Sequence, residues 1–285
     1  MAKVAIVEFD KDVKASFTHA LELIGSINDL HTNKKSVVVK VGVFDPKGET
    51  HTTISVLDAI ISSFNDSPHI FVVESDNYRG KGSERLQIWK QLYSKRVTPF
   101  NLSEDADNRK VKIADETIAF SHVLFKPNIF VSTHVVRGFD KGSVLKNLLG
   151  LIPDRKKARF HKKLETVLLD AYEAIGGIDL AVLDGTYTYA GAGIVPKAGV
   201  NSARYRVQTD TILVGRDAIA VETVGAALAG LNPEKLPVIQ EAVRRGLGEG
   251  NLENIEIVGA PFEKVKKKFA SAVTALKHRG KETGK

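Results

Sequence analysis

Apolar and polar positions along the chain alternate between two periods, and the switches predict strands and helices in turn. Residues 36–43, Ser-Val-Val-Val-Lys-Val-Gly-Val, form the β-branched run of a strand buried on both faces. Residues 54–64 place apolar side chains at helical spacing behind Thr52 and Thr53, so this stretch is a βα unit. A strand at 69–74 and a helix at 84–93 make the next unit. Short strands are expected at 97–101, 109–113 and 117–124, a small β-rich insertion around 95–125. Strand 128–133 leads into a helix at 141–149 and a Pro-containing basic loop at 150–161. A helix at 162–175, a strand at 178–183 and a glycine-rich loop reaching Gly199 follow. Strand 211–215, helices 218–230 and 235–245, strand 254–258 and a C-terminal helix 262–278 complete the order, with the N-terminal residues also alternating as a strand. The expected fold is α/β, a mainly parallel central sheet covered by helices. Residues 1–261 are expected to form a single domain, with 262–285 a basic helix and tail.

Charge changes the picture more than composition does. The 285 residues carry a net charge of +7, which alone invites a nucleic-acid partner. The charge is concentrated, however: +6 falls in residues 262–285 and +5 in residues 154–163, leaving −4 for the rest. The body is therefore slightly acidic and carries two basic segments. The sequence contains no cysteine, which excludes disulfides, thiol nucleophiles and iron–sulfur clusters held by thiolates. The start of the chain has no signal-like apolar run, and no stretch approaches a membrane span. A cytoplasmic protein without a membrane partner is the expectation.

Ligands of open α/β sheets bind beyond the carboxyl ends of the strands, so the residues standing there are the candidates. Strand 36–43 runs into Asp45-Pro46-Lys47-Gly48 and then Thr52 and Thr53, either a plain turn and cap or a helix N-terminus that holds an anion. Glu74 and Asp76 end the next strand, as solvated acids or as metal ligands. Past strand 128–133 stands His134, an acid, a base or a structural imidazole. Asp184 follows strand 178–183, where a sheet places functional carboxylates. Lys146 and Asn147 interrupt an apolar helix and need partners, because leaving such groups buried and unpaired costs about 1–3 kcal/mol each. The loop Arg155-Lys156-Lys157-Ala158-Arg159-Phe160-His161 is either a solvated charge run or an anion trap. Asp217 reads as a helix N-cap, and Glu222 lies one turn further on. In the tail, Phe262, Val265, Phe269 and Val273 are spaced to dock one helix face. No phosphate-binding P-loop, zinc-protease or serine-hydrolase motif is present, and Gly191-Ala192-Gly193 lacks the third glycine of the dinucleotide fingerprint.

Taken in order, several segments resemble the family of domains of unknown function numbered 362. They are Val38-Val39-Lys40-Val41-Gly42, Ser132-Thr133-His134, Leu145-Lys146-Asn147-Leu148-Leu149-Gly150, Phe160-His161, Leu183-Asp184-Gly185 with Gly191 and Gly193, Gly215 to Glu222, and Gly246-Leu247-Gly248. The resemblance spans roughly residues 36–259 and implies a shared fold and site rather than a particular reaction. Many members carry Asn where Gly42 stands and Asp where Glu222 stands. Some are fused to cysteine-rich ferredoxin-like modules, which implies a redox partner protein.

The reading that follows is an enzyme or enzyme-like protein acting on an anionic small molecule. His134, Asp184 and Glu222 are the expected catalytic acids and bases. Thr52, Thr53, Lys146, Asn147, Arg155, His161, Gly191 and Gly193 are expected to hold the ligand. Glu74 and Asp184 would ligate a hard divalent ion such as Mg2+, which oxygen ligands suit. The competing reading is a nonenzymatic protein that binds an acidic metabolite, or nucleic acid through the basic loop and tail.

Overall fold

The β-branched runs assemble into one eight-stranded sheet, seen in a computed structural model that describes residues 1–31, 33–138, 140–189 and 206–282. The chain opens with β1 (Ala2–Glu8), α1 (Val13–Leu23), β2 (Ser36–Val41), α2 (Ile54–Ser62), β3 (Ile70–Glu74), α3 (Gly82–Arg85) and β4 (Val97–Asn101). It continues through β5 (Asn108–Ile113), β6 (Glu116–Ser121), β7 (Asn128–Val135), α4 (Leu164–Ala174), β8 (Leu180–Tyr189) and β9 (Arg206–Gly215). Last come α5 (Ala218–Leu228), α6 (Pro237–Arg244), β10 (Ile255–Gly259) and α7 (Phe262–Glu282). The strand order is β10-β1-β9-β8-β7-β2-β3-β4, and β9 alone runs against the others. The fold is thus α/β, as the sequence pattern predicts.

Alternation along the central strands builds two cores, one on each face of the sheet. Val37, Val39 and Val41 pack with Phe17 of α1 and Leu57 of α2. Val38 points the other way, into the core shared with α4, α5 and α6. Each such valine, fully buried, contributes roughly 1.5–3 kcal/mol relative to exposure. The same two-residue period assigns Lys40 to the face of Val38, a charged group in an otherwise apolar slot. α5 is buried along its whole length, and Asp217 caps it by accepting from Ile219 N and Ala220 N, both at 2.9 Å.

From β2 the chain builds outward through β3 to β4, then returns to add β7 and β8 on the other side. The reversal of direction between β2 and β7 is the point where an open α/β sheet opens a crevice at its carboxyl edge.

Four local expectations change. β4 pairs in parallel with β3 and closes the main sheet, so the insertion reduces to the β5–β6 hairpin. Residues 84–93 form not one helix but α3 and a 3₁₀ segment, Leu86–Leu92, kinked at Trp89. Trp89 is buried there with its indole N–H on Thr52 O at 3.0 Å, a tertiary bond that outweighs helical propensity. The helix at 141–149 is instead a 3₁₀ segment, Lys146–Leu151, because Gly142 (φ +90°) interrupts the backbone before it. β8 runs on through Gly185-Thr186-Tyr187-Thr188-Tyr189, where β-branched and aromatic residues pair with β9, so Asp184 lies within a strand rather than after one. The tail helix docks as expected, but through Val265, Phe269, Ala272 and Leu276, with Val273 only half-buried.

Candidate active site

A cavity of about 380 Å3 opens at the β2–β7 reversal, within the size range of small-molecule sites. Its floor comes from the ends of β2 and β7, with Lys40, Gly42 and Val43 on one side and His134 and Arg137 on the other. Glu74 closes it from β3. The 3₁₀ segment supplies Lys146 and Asn147, and the basic loop supplies Arg155, Lys157 and His161. Phe44 and Tyr78 also line it.

Lys40 is completely buried, and its charge is handled locally. Its Nζ donates to Asn147 Oδ1 at 2.9 Å and to Val41 O at 2.7 Å, and pairs with Glu74 Oε1 at 3.2 Å. Burial pulls its pKa down, and the Glu74 carboxylate opposes that pull. Glu74 also lies 3.7 Å from Arg85, whose guanidinium donates to the carbonyls of Val43 and Ser75. The carboxylate is therefore engaged on both sides before any ligand arrives.

The other cations of the wall are differently placed. Lys157 donates to Ser75 Oγ at 2.6 Å and Asp76 O at 2.7 Å, neutral acceptors, and burial lowers its pKa to about 7. Lys146 makes no ion pair among the described residues; burial, with Arg137 and Lys157 nearby, lowers it to about 7 as well. Burial lowers Arg137 to about 10, against the attraction of Glu222. Arg155 is half-exposed and reaches Asp76 Oδ2 at 3.4 Å.

His134 fits because position 42 has no side chain: a Cβ on Gly42 would overlap the imidazole. Its Nδ1 accepts the Val135 N–H at 2.7 Å, which leaves the ring proton on Nε2. Burial and the nearby Arg137 and Lys40 hold the ring's pKa well below its usual value, so the group is a neutral imidazole.

The structure brings together His134, Lys146, Asn147, Arg155, His161 and Glu74 from the residues singled out in the sequence. Asn147 is fully used in holding the floor: its Nδ2 donates to Lys40 O at 2.9 Å, Thr133 O at 3.1 Å and Ser132 Oγ at 3.2 Å. His161 is only partly buried, and burial with Lys146 lowers its pKa.

Asp184 and Glu222 stand outside the cavity wall. The oxygens of Asp184 accept from Thr53 N (2.6 Å), Thr53 Oγ1 (2.8 Å), Thr186 N (2.8 Å) and Thr186 Oγ1 (2.6 Å), fastening the start of α2 to β8. Thr52 is buried against Thr133, with 3.1 Å between their hydroxyls. Glu222 accepts from Ser143 N at 2.7 Å and Leu145 N at 2.9 Å and so holds the entry to the segment that carries Lys146. For both acids burial raises the pKa, opposed by these hydrogen bonds. Two strands, β7 and β2, separate β8 from β3, so Asp184 and Glu74 stand three strand spacings apart across the sheet and are not brought together around one ion. Among the described residues no group of three or more His, Asp or Glu side chains could hold a metal. Gly191 and Gly193 lie outside the described residues.

Sequence reasoning passed over Lys40, Arg137, Phe44 and Tyr78 as site residues and named Lys157 only as part of the basic loop. A usable signal existed for Lys40, a lone charge inside a β-branched run. None existed for Arg137, whose place in the wall depends on where the loop after β7 turns.

Fold and site together define an α/β protein with a cation-lined cavity at the reversal point of a mainly parallel sheet. The family described as a domain of unknown function (DUF362) matches residues 37–227, β2 through α5 and more than half of the chain, and the chain belongs to that family. No curated protein matches it. No helix among the described residues is long and apolar enough to cross a membrane.

Proposed function

We propose that this protein binds a small anionic molecule, a phosphate or carboxylate compound, in the cavity at the β2–β7 reversal. The observation that carries the reading is the charge balance of the wall. Five cations, Lys40, Arg137, Lys146, Arg155 and Lys157, line the cavity with one carboxylate, Glu74, which Lys40 and Arg85 already engage; Asp76 meets Arg155 and Glu222 attracts Arg137 from outside the wall, while Lys146 and Lys157 pair with no carboxylate among the described residues. An anion entering there gains charge-assisted hydrogen bonds in a partly desolvated setting. Near neutral pH, Lys146 and Lys157 are each divided between ammonium and amine, so the wall can give or take a proton beside the bound anion.

The basic segments give less support to nucleic acid. In the loop, Arg159 pairs with Glu116 at 3.0 Å and Asp154 at 2.6 Å, and Lys163 pairs with Asp115 at 2.7 Å. On the tail helix, Lys264 and Lys268 both pair with Glu8, at 2.7 and 3.0 Å. Part of the charge of each segment is thus met within the chain.

Thermal unfolding with inorganic phosphate or succinate, at ionic strength matched with chloride, tests the reading. Specific binding raises the melting temperature by mass action, and Lys146→Met with Lys157→Met removes the increment. Equal melting temperatures in phosphate, succinate and chloride would overturn it.

A further inference from the structure

Among the described residues, few large apolar side chains stand at the surface. Those exposed among the described residues are Met1, Phe44, Tyr78 and Val243, and two of these four meet at the cavity. Phe44 is 39% and Tyr78 69% exposed. Their rings lie 5.2 Å apart at 69°, an open corner made of one ring's face and the other's edge.

The corner is built rather than incidental. Tyr78 and Arg79 sit on a tight turn closed by Asn77 N to Gly80 O at 3.1 Å and Gly80 N to Asn77 O at 3.2 Å. Asn77 Nδ2 donates to Phe44 O at 3.0 Å, and this ties the turn to the loop after β2. The Arg79 guanidinium rests 5.2 Å from the Tyr78 ring centre and 5.9 Å from that of Phe44. A second cavity, lined by Tyr78, Arg79, Gly80, Arg155, Lys156 and Ala158, adjoins the first and shares Tyr78, Arg155 and Ala158 with it. Tyr78 therefore stands at the boundary of two cation-lined spaces.

Leaving two aromatic rings in water forgoes the gain from burying them, yet both are held beside the cationic wall. A flat ring seated against one aromatic face, with its edge toward the other, covers that surface while its anionic group reaches the lysines. We infer that the ligand is an anion bearing a planar aromatic ring, with Phe44 and Tyr78 as its stacking platform and the Lys146–Lys157 wall as its anion site. This rests on the anion-binding reading and narrows it to a ligand class that includes nucleotides and simple aromatic phosphates.

Calorimetric titration of the full chain with two matched pairs provides the test: AMP against ribose 5-phosphate, and phenyl phosphate against methyl phosphate. In at least one pair the ring-bearing member is expected to bind about tenfold tighter, the usual worth of one stacked ring. Phe44→Ala with Tyr78→Ala should reduce that preference to less than about threefold, while Tyr78→Phe keeps the preference. Which pair responds separates a nucleotide from a simple aromatic phosphate. Equal affinity within both pairs, or a preference that survives the double alanine variant, overturns the ring inference and leaves the anion site standing. Failure of all four compounds to bind overturns both.

Discussion

Asn147 holds Lys40 at both ends: its Oδ1 accepts from the ammonium at 2.9 Å, and its Nδ2 donates to the same residue's backbone carbonyl at 2.9 Å. One amide thereby positions a buried cation and ties the 3₁₀ segment to β2, and through Thr133 O to β7. Asn147→Ala leaves a buried ammonium and two buried carbonyls short of partners. Urea unfolding should show a loss of roughly 2–4 kcal/mol. Unchanged stability would mean that water or another side chain replaces the amide.

Glu222 meets backbone N–H groups rather than the cavity. Glu222→Ala frees the N–H groups of Ser143 and Leu145, and amide exchange at these two positions should accelerate markedly. Because the loosened segment carries Lys146, phosphate affinity should fall as well. Exchange as slow as in the parent protein would show that other groups hold the segment.

For Asp184 the expected effect is on stability. Four donors converge on its carboxylate, so Asp184→Ala strands them at the α2–β8 junction and should cost about 2–4 kcal/mol. Phosphate affinity, measured below the unfolding transition, should change less than about threefold, because the group stands outside the cavity. A large loss of affinity with little loss of stability would instead assign it a ligand contact.

Lys146 links binding to pH. Its amine titrates near 7 in the folded protein and at 10.5 when unperturbed, so between these values the unfolded chain binds more protons. The contribution of Lys146 to the stability of the ligand-free protein therefore rises with pH across that window. Lys146→Met should raise the melting temperature near pH 7 by about 2–5 °C, with the gain shrinking toward pH 10. An anion favours the ammonium, so phosphate binding at pH 8 should take up protons, seen as a dependence of the calorimetric enthalpy on the buffer. No such dependence would leave Lys146 without a part in binding.

Strand and helix order were legible because the β-branched runs at 36–41, 70–74 and 128–133 are buried on both faces, and burial forces a pattern. Two of the errors fall where tertiary bonds outweigh local preference, at Trp89, drawn to Thr52 O, and along β8, extended by its pairing with β9, and a third where Gly142 breaks the backbone before the 3₁₀ segment. At the site, nearness to a strand's carboxyl end led to two residues that line the cavity, Glu74 as the last residue of β3 and His134 inside β7 rather than past it. It could not separate Asp184 and Glu222, carboxylates turned toward backbone and hydroxyl donors, from groups turned toward a ligand. That distinction depends on which way a side chain leaves the sheet and who waits there.

Gly42 and His134 compete for one volume, since any Cβ at position 42 enters the space of the imidazole. A side chain at 42 therefore requires the imidazole to turn or give way, and a laboratory variant at 42 should be rescued by a smaller group at 134. The sequence record of the family ought to carry this as a paired substitution, readable without any further structure.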